Sequence, residues 1–306
     1  MTHVAAVVVN WNGKDDTVVC LTSLKKIRKP GVKFTAIVVD NGSTNDSVSI
    51  IKNAHPWVTL VTTGKNLGFT GGNNVGIKKA MAVGADYVWL LNNDTIVDPG
   101  VLSFLSAFED KTVGIVGSKI YFAPGHEYHK DKYKPDEKGK VFWYAGGLVD
   151  WKNMYASHRG VDEVDHGQYD EVVDSPFVTG CSLIVRREVV EKIGVLDDKY
   201  FLYTEDLDFC LRAKRAGWRL LYYPESVVWH VNAGSTGGAG NPLHDYYLTR
   251  NRLLVGMRYA PLRTKVALLR EAVGFLSSPS AVKRQAVRDF LLGKLGKQYE
   301  PRKFDK

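Results

Sequence analysis

The chain has 306 residues, 44% hydrophobic and 24% charged, the balance of a globular protein large enough to bury a substantial core. That composition excludes a disordered chain, and no apolar run approaches the roughly 20 residues that a membrane-spanning helix needs. The net charge of +8 is uneven, with its excess beyond about Leu207. It points to an anionic partner: nucleic acid, an anionic membrane face or a diphosphate substrate.

Met1 to Asn10 reads as a β-strand with no basic leader or cleavage signature, so a signal peptide is not expected. Short β-branched runs then alternate with amphipathic stretches: Val4–Val9, Phe34–Val39, Val58–Val61, Tyr87–Leu91 and Val113–Ile120. Such alternation predicts βαβ units and a largely parallel sheet, whose ligands sit at the carboxyl ends of the strands. Three strands end in polar clusters, Asn10-Trp11-Asn12-Gly13, Asp40-Asn41-Gly42-Ser43 and Asn92-Asn93-Asp94-Thr95, which should converge on one crevice. Residues 123–140 are charged and rich in turn formers and read as a mobile loop or hairpin, with His126 and His129 solvated. Strands and turns follow to Arg186, with helices expected at Arg187–Ile193 and Glu205–Ala216. Beyond His244 the pattern is helical to about Gly293, broken at Pro261 and Pro279. Cys20, Cys181 and Cys210 are odd in number, far apart and flanked by apolar residues. They read as reduced, buried thiols of a cytosolic protein rather than a disulfide or zinc framework.

Each polar cluster admits two readings. The Asp40 turn offers acceptors and donors for a base or ribose, or is an Asx turn. The glycines of Asn66-Leu67-Gly68-Phe69-Thr70-Gly71-Gly72-Asn73-Asn74 let the backbone approach an anion at a helix start, or simply cap the helix. Asp94 suits a Mg²⁺ that takes one or two protein carboxylates plus phosphate oxygens, or is a turn former. In Phe201-Leu202-Tyr203-Thr204-Glu205-Asp206-Leu207-Asp208, a Thr cap and first-turn acids complement a helix dipole. A carboxylate there would equally take a proton from an attacking hydroxyl. His230, at the end of Val227-Val228-Trp229, is a structural histidine or a ligand for Mn²⁺ or Mg²⁺.

In their order and spacing these motifs resemble the family 2 glycosyltransferases of GT-A fold, most of all the rhamnosyltransferase-type branch, over about Val4 to Asn251. The resemblance implies an α/β nucleotide-diphospho-sugar transferase fold with a mostly parallel central sheet flanked by helices. Residues 1–240 would form the catalytic domain, its nucleotide half about 1–120 and its acceptor half about 121–240, with a basic helical extension at 241–306. It implies a donor pocket lined by Asn10, Trp11, Asn12, Asp40, Asn41 and Gly42 from the first two strand ends. Asn66, Gly68, Phe69, Gly72 and Asn73 would add the glycine-rich wall, with Asn92, Asn93 and Arg250 completing it. Asp94 and His230 match the metal ligands for Mg²⁺ or Mn²⁺, Asp206 matches the general base beside Glu205, and Trp143, Gly180 and Tyr203 would face the acceptor. Where the family's metal motif begins with Asp, this chain has Asn92, which leaves one fewer anionic ligand.

The implied activity is inverting, metal-dependent transfer of a sugar, L-rhamnose from dTDP-rhamnose as the first expectation, to a glycan or polyprenyl-diphosphate-linked acceptor in cell-surface polysaccharide synthesis. A sugar nucleotidyltransferase would need a basic glycine-rich N-terminal loop that Asn10-Trp11-Asn12-Gly13 does not match, and a non-catalytic binding protein would have lost Glu205 and Asp206. Nucleic acid binding has charge but no motif. Beyond Arg252, apolar residues interleave with Arg and Lys, as in helices that lie on anionic lipid or merely cap a core. The expected location is cytoplasmic, peripheral on the inner face of the cell membrane. The oligomeric state is open, a homodimer included.

Overall fold

The computed structural model describes residues 1–129, 131–231 and 241–299. Strand β1 (Thr2–Asn10) is buried along almost its whole length, as a β-branched central strand covered on both faces should be. Helix α1 (Lys14–Leu24), β2 (Val32–Asp40), α2 (Ser47–Ala54), β3 (Thr59–Thr62), α3 (Gly68–Ala82) and β4 (Tyr87–Asn92) follow, with β1 parallel to β2 and β4 and β2 parallel to β3. Next come β5 (Thr95–Val97), a 3₁₀ stretch (Val101–Glu109), β6 (Val113–Phe122), β7 (Phe142–Tyr144), the hairpin β8 (Gly147–Asp150) and β9 (Tyr155–His158), β10 (Val173–Asp174) and β11 (Ser182–Arg186). The chain closes with α4 (Arg187–Ile193), α5 (Glu205–Arg215), β12 (Arg219–His230), α6 (Pro242–Tyr259), α7 (Leu262–Leu276) and α8 (Ala281–Leu291).

Among the described residues the main sheet has the order β10-β12-β6-β11-β4-β1-β2-β3, with β5 added to β12 and β7 to β6. It is mostly parallel, β11 running antiparallel to both β4 and β6. The register decides what the strand ends do. Asn10 lies opposite Asp40, and Val9 lies opposite Asn92, so the polar ends of β1, β2 and β4 share one edge of the sheet. The expected convergence is therefore present.

Two expectations are corrected. The segment 123–140 forms no hairpin among its described residues. It is a tied loop: the Glu127 carboxylate is buried and accepts the amides of Gly125 (2.9 Å) and Gly139 (2.9 Å), while Tyr133 donates to the Asp162 carbonyl. Its His126 and His129 are exposed as expected. The glycine-rich segment does not precede α3 but lies within it. Gly72 and Gly76 bring the helix onto β1, where a Cβ at Gly72 would stand 2.8 Å from a Val9 methyl and one at Gly76 would overlap Val7. The three cysteines are free and buried, and burial pushes the Cys20 thiol up to about 12.

The prolines end the C-terminal helices where expected. Asn241 caps α6 by accepting the Leu243 amide, and Pro242 occupies its first turn. Helix α6 is fastened by Arg250, whose guanidinium lies fully buried between the Tyr246 and Tyr247 rings and donates to the carbonyls of Lys199, Tyr200 and Gly296.

The close contact of α3 with β1 predicts opposite outcomes for two helical glycines. Gly76→Ala should cost about 1–3 kcal/mol by overpacking, despite the better helix propensity of Ala. Gly274→Ala in α7, where a Cβ meets nothing within 4 Å, should stabilise by roughly 0.5–1 kcal/mol. Denaturant unfolding of both variants checks the pair.

Candidate active site

The first strand ends build a hydrogen-bonded floor. Asp40 is buried, and its carboxylate accepts from the Asn10 amide (2.9 Å), the Ser43 backbone amide (3.1 Å) and the Ser43 hydroxyl. Asn10, also buried, accepts in turn from Thr17 (2.9 Å), and Thr17 accepts from Asn93 (3.0 Å). Gly13 has to lack a side chain here, because a Cβ would stand 2.8 Å from the Asn93 amide nitrogen. Trp11 is exposed, and Asn12, at φ 57°, accepts from the Thr44 amide and so ties the β1 end to the turn after β2. Asp40 thus folds the turn after β2 through its Ser43 contacts, as the structural reading of that cluster expects.

The glycine-rich wall differs from expectation. Asn66 accepts from the Gly68 amide (2.8 Å), Asn41 accepts from the Leu67 amide (3.1 Å), and the Phe201 carbonyl accepts from the Thr70 amide (3.2 Å). These amides at the start of α3 are taken, so they form no anion cradle. Gly68 instead lets the backbone meet Phe201, whose carbonyl and ring occupy the space a Cβ would need. Gly42, at φ +75°, lies against the Lys65–Asn66 backbone in the same way. Asn10, Asn41 and Asn73, the last donating to the Phe69 carbonyl (2.9 Å), are buried and hold the wall rather than reach past it. Arg250 is corrected: it is fully buried, and its guanidinium donates to the Asn251 side chain and to the carbonyls of Lys199, Tyr200 and Gly296 rather than toward a phosphate.

The metal half follows from strand pairing. His230 ends β12 opposite Thr95 of β5, and the Val231 amide donates to the Asp94 carbonyl (2.8 Å), which places the His230 Nε2 3.2 Å from an Asp94 carboxylate oxygen. His230 Nδ1 and the Asn92 Oδ1 are buried with no hydrogen-bond partner among the described residues. The His230 imidazole, facing the Asp94 carboxylate through Nε2, and the orphaned Asn92 amide oxygen are nitrogen and oxygen donors of the kind a divalent cation takes. No group of three His, Cys, Asp or Glu side chains gathers among the described residues. Two groups escape a reading of the sequence. The Trp143 ring lies edge-on between His230 (4.5 Å) and His158 (4.3 Å), and burial pushes the His158 imidazole down to about 4, so it is neutral. Asp16 stands near enough to Asp94 for their like charges to add to the burial that raises its carboxyl. A histidine alternating into a two-stranded hairpin carries no motif, and Asp16 reads as an ordinary first-turn acid.

The base half begins with a correction. Thr204 does not cap α5: it sits in the left-handed region at φ 66°, with its hydroxyl unpartnered among the described residues. Asp206 does the capping itself, accepting the Leu207 amide (2.8 Å) and the Gly180 amide (2.9 Å). Burial holds its carboxyl above the usual aspartate range, and those amides oppose the shift. Glu205 is buried with one oxygen unpartnered among the described residues, and burial together with the Asp206 charge pushes it well above the usual range. Asp208 is spoken for by Arg212 (2.8 Å) and Arg258 (3.0 Å). Of the acids at the head of α5, Asp206 is thus the one held by two backbone amides. Phe69 lies beside Gly180, its ring 3.1 Å from where a Gly180 Cβ would be, and Tyr203 turns its ring onto His244 at 5.1 Å. The next residue joins the two halves, since the Cys181 carbonyl accepts the Asn92 amide (2.9 Å) while Gly180 holds Asp206.

Residues 2–242 match the family described as "Glycosyltransferase like family 2". The chain belongs to glycosyltransferase family 2. This family 2 glycosyltransferase is 29% identical over 219 residues, 66% of its own length and 68% of the relative's, to an N-acetylglucosaminyl-diphospho-decaprenol L-rhamnosyltransferase of Mycobacterium tuberculosis. It is 23% identical over 217 residues, 70% of the chain and 62% of the relative, to the low-salt glycan biosynthesis hexosyltransferase Agl10 of Haloferax volcanii. Within the family its likeness is thus to the rhamnosyltransferase-like branch. Among solved structures, a mannosyltransferase from Pyrobaculum calidifontis in complex with GDP-Man and Mn²⁺ superposes with a TM-score of 0.56 at 18% identity, over 95% of this chain and 74% of that one. GalNAc-T7 with UDP, GalNAc and Mn²⁺ superposes with a TM-score of 0.62 at 15% identity, over 95% and 56%. The fold is GT-A.

Because Asp206, and not Glu205, is the carboxylate oriented by two backbone amides, Glu205→Gln should keep transfer within about tenfold of the parent, whereas Asp206→Asn should lose the roughly 10²–10⁴-fold that a positioned base supplies. Because the Asp206 carboxyl is raised, the acid limb of kcat/KM should fall at a pH above the ordinary aspartate value of 3.8. Equal losses in the two variants would remove the distinction between the two acids.

Proposed function

We propose that this glycosyltransferase moves L-rhamnose from dTDP-rhamnose, with inversion, to a hydroxyl of an N-acetylglucosaminyl-diphospho-polyprenol, with a divalent cation at Asp94 and His230. The observation that carries the reading is the buried Asp206 carboxylate, held by the Gly180 and Leu207 amides one residue away from the peptide that fastens Asn92. The named sugar and acceptor rest on the mycobacterial relative, and the cation on the orphaned Asn92 and His230 atoms and on the Mn²⁺ of the solved neighbours.

Asp206 accepts the proton of the acceptor hydroxyl through whichever oxygen lone pair its two amide donors leave open. The hydroxyl oxygen bonds the anomeric carbon as the bond to the diphosphate breaks on the opposite face, so configuration inverts. Phe69 stands beside Gly180 on one side of that space. Asp94, His230 and Asn92 would hold the cation, which when bound neutralises charge on the departing diphosphate. Trp143, wedged between His230 and His158, fixes the ligand imidazole, and a neutral His158 adds no competing positive charge. Asp40 and Asn10 shape the edge on which the nucleoside rests.

Incubation with dTDP-rhamnose, N-acetylglucosaminyl-diphospho-polyprenol and Mn²⁺ or Mg²⁺ should release dTDP and yield a rhamnosylated lipid. Chelation should stop it, and Asp94→Asn should raise the cation concentration for half-maximal rate by about 10–100-fold, the scale seen when metal-site support is lost. Full turnover in excess chelator would refute the cation, and turnover with UDP or GDP sugars alone would move the donor elsewhere.

A further inference from the structure

Helix α1 packs against the turn that carries Asp94, and the residues that make the contact lie on either side of Asp16. The Thr17 hydroxyl accepts from Asn93 (3.0 Å), and the Cys20 thiol lies 3.8 Å from the Asn92 carbonyl oxygen and 3.6 Å from the Thr95 hydroxyl. Residues four apart share one face of a helix, so Asp16 stands above Cys20, one turn of about 5.4 Å nearer the polar strand ends. Asp94 sits in the chain between the residues that Thr17 and Cys20 touch, and the two acids sense each other. Burial first, and the Asp94 charge second, raise the Asp16 carboxyl. Asp16 itself makes no hydrogen bond or ion pair among the described residues. The adjacent cation, Lys14, is taken by Asp46 (2.6 Å), and His126 of the tied loop adds an opposing charge at longer range.

We propose that Asp16 is a second carboxylate of the cation site, contributed by α1. The inference rests on the cation read at Asp94 and His230 and completes its charge. The Asn92 amide oxygen and the His230 imidazole bring lone pairs but no negative charge. With Asp94 alone the site offers one negative charge to a dication; with Asp16 it offers two, and hard divalent cations are characteristically held by one or two protein carboxylates. The helix dipole accounts for an acid in the first turn of α1, but Asp15 meets that need from an exposed position. It does not account for one set half-buried toward Asp94, where desolvation and a like charge both oppose ionisation. A bound cation turns that repulsion into shared attraction, so the arrangement is stabilised by the ion and not by the protein alone.

Electron paramagnetic resonance of free Mn²⁺, titrated into the full chain without a nucleotide sugar, reads cation binding apart from turnover. Asp16→Asn should raise the Mn²⁺ dissociation constant by about 10–100-fold, the scale of lost support at a metal site. Asp15→Asn removes the same charge one residue away and should change it by no more than about twofold, because an exposed charge is screened. In chelator, Asp16→Asn should melt at or above the parent temperature, since it relieves repulsion with Asp94. A lower melting temperature would overturn the inference and assign Asp16 to the helix start. Parent-like Mn²⁺ affinity in Asp16→Asn would overturn it while leaving the cation at Asp94, which Asp94→Asn checks in the same titration. Equal losses in Asp15→Asn and Asp16→Asn would overturn it as well, giving the effect to surface charge. A parent that binds no Mn²⁺ would remove the cation reading itself, and the role of Asp16 with it.

Discussion

Arg250 and Asn251 grip the backbone of residues 199–203, and the geometry of the site depends on that grip. Phe201, Tyr203 and Thr204 all sit at positive φ, 65° to 66°, where side-chain-bearing residues are strained by roughly 1–3 kcal/mol each. Arg250 donates to the Lys199 and Tyr200 carbonyls, and the Asn251 amide donates to those of Tyr200 (3.1 Å), Leu202 (2.7 Å) and Tyr203 (2.9 Å). A buried guanidinium makes charge-assisted hydrogen bonds, which are stronger than those between neutral groups and offset such strain. The twisted loop then does two things. It sends the Phe201 carbonyl to the first turn of α3, closing what would otherwise be an open helix start, and it delivers Glu205 and Asp206 to the head of α5. Helix α6 is therefore part of the site without touching it.

The other half rests on a lean set of donors. The Asn92 amide oxygen is left buried and unpaired among the described residues. Three strand pairings fix the arrangement: β1 with β4 positions Asn92, β5 with β12 brings Asp94 to His230, and β11 beside β4 sets Cys181 against Asn92. Because Cys181 follows Gly180, the strand that positions the cation side and the amide that orients the base move as one. Such a backbone-built link keeps the two charges of the reaction in fixed relation without a dedicated side chain.

Much of this was within reach of the sequence, for identifiable reasons. The strand ends at Asn10, Asp40 and Asn92 are legible because a β-branched run halted by Asn or Asp has few alternatives, and parallel register then aligns them. Asp206 is legible because three acids exceed what a helix start needs. Arg250 is not, since whether an arginine meets a phosphate or three carbonyls depends on a loop fifty residues earlier in the chain. The glycines of α3 mislead for a related reason: closeness to β1 and closeness to an anion demand the same residue, and only packing tells them apart. Thr204 fails as a cap because αL backbone turns its hydroxyl away from the helix amides, a conformation imposed by Asn251 rather than by local sequence. His158 carries no local signal at all.

In the proposed reaction the Asp206 carboxylate at the head of α5 drives a single displacement at the anomeric carbon. Nuclear magnetic resonance of the anomeric centre, before transfer in the nucleotide sugar and after transfer in the product, tests it most directly. The account predicts the opposite configuration in the product. Retention would contradict it, because two displacements require a covalent or ion-pair intermediate on the donor's other face, where Asp206 as a base has no place.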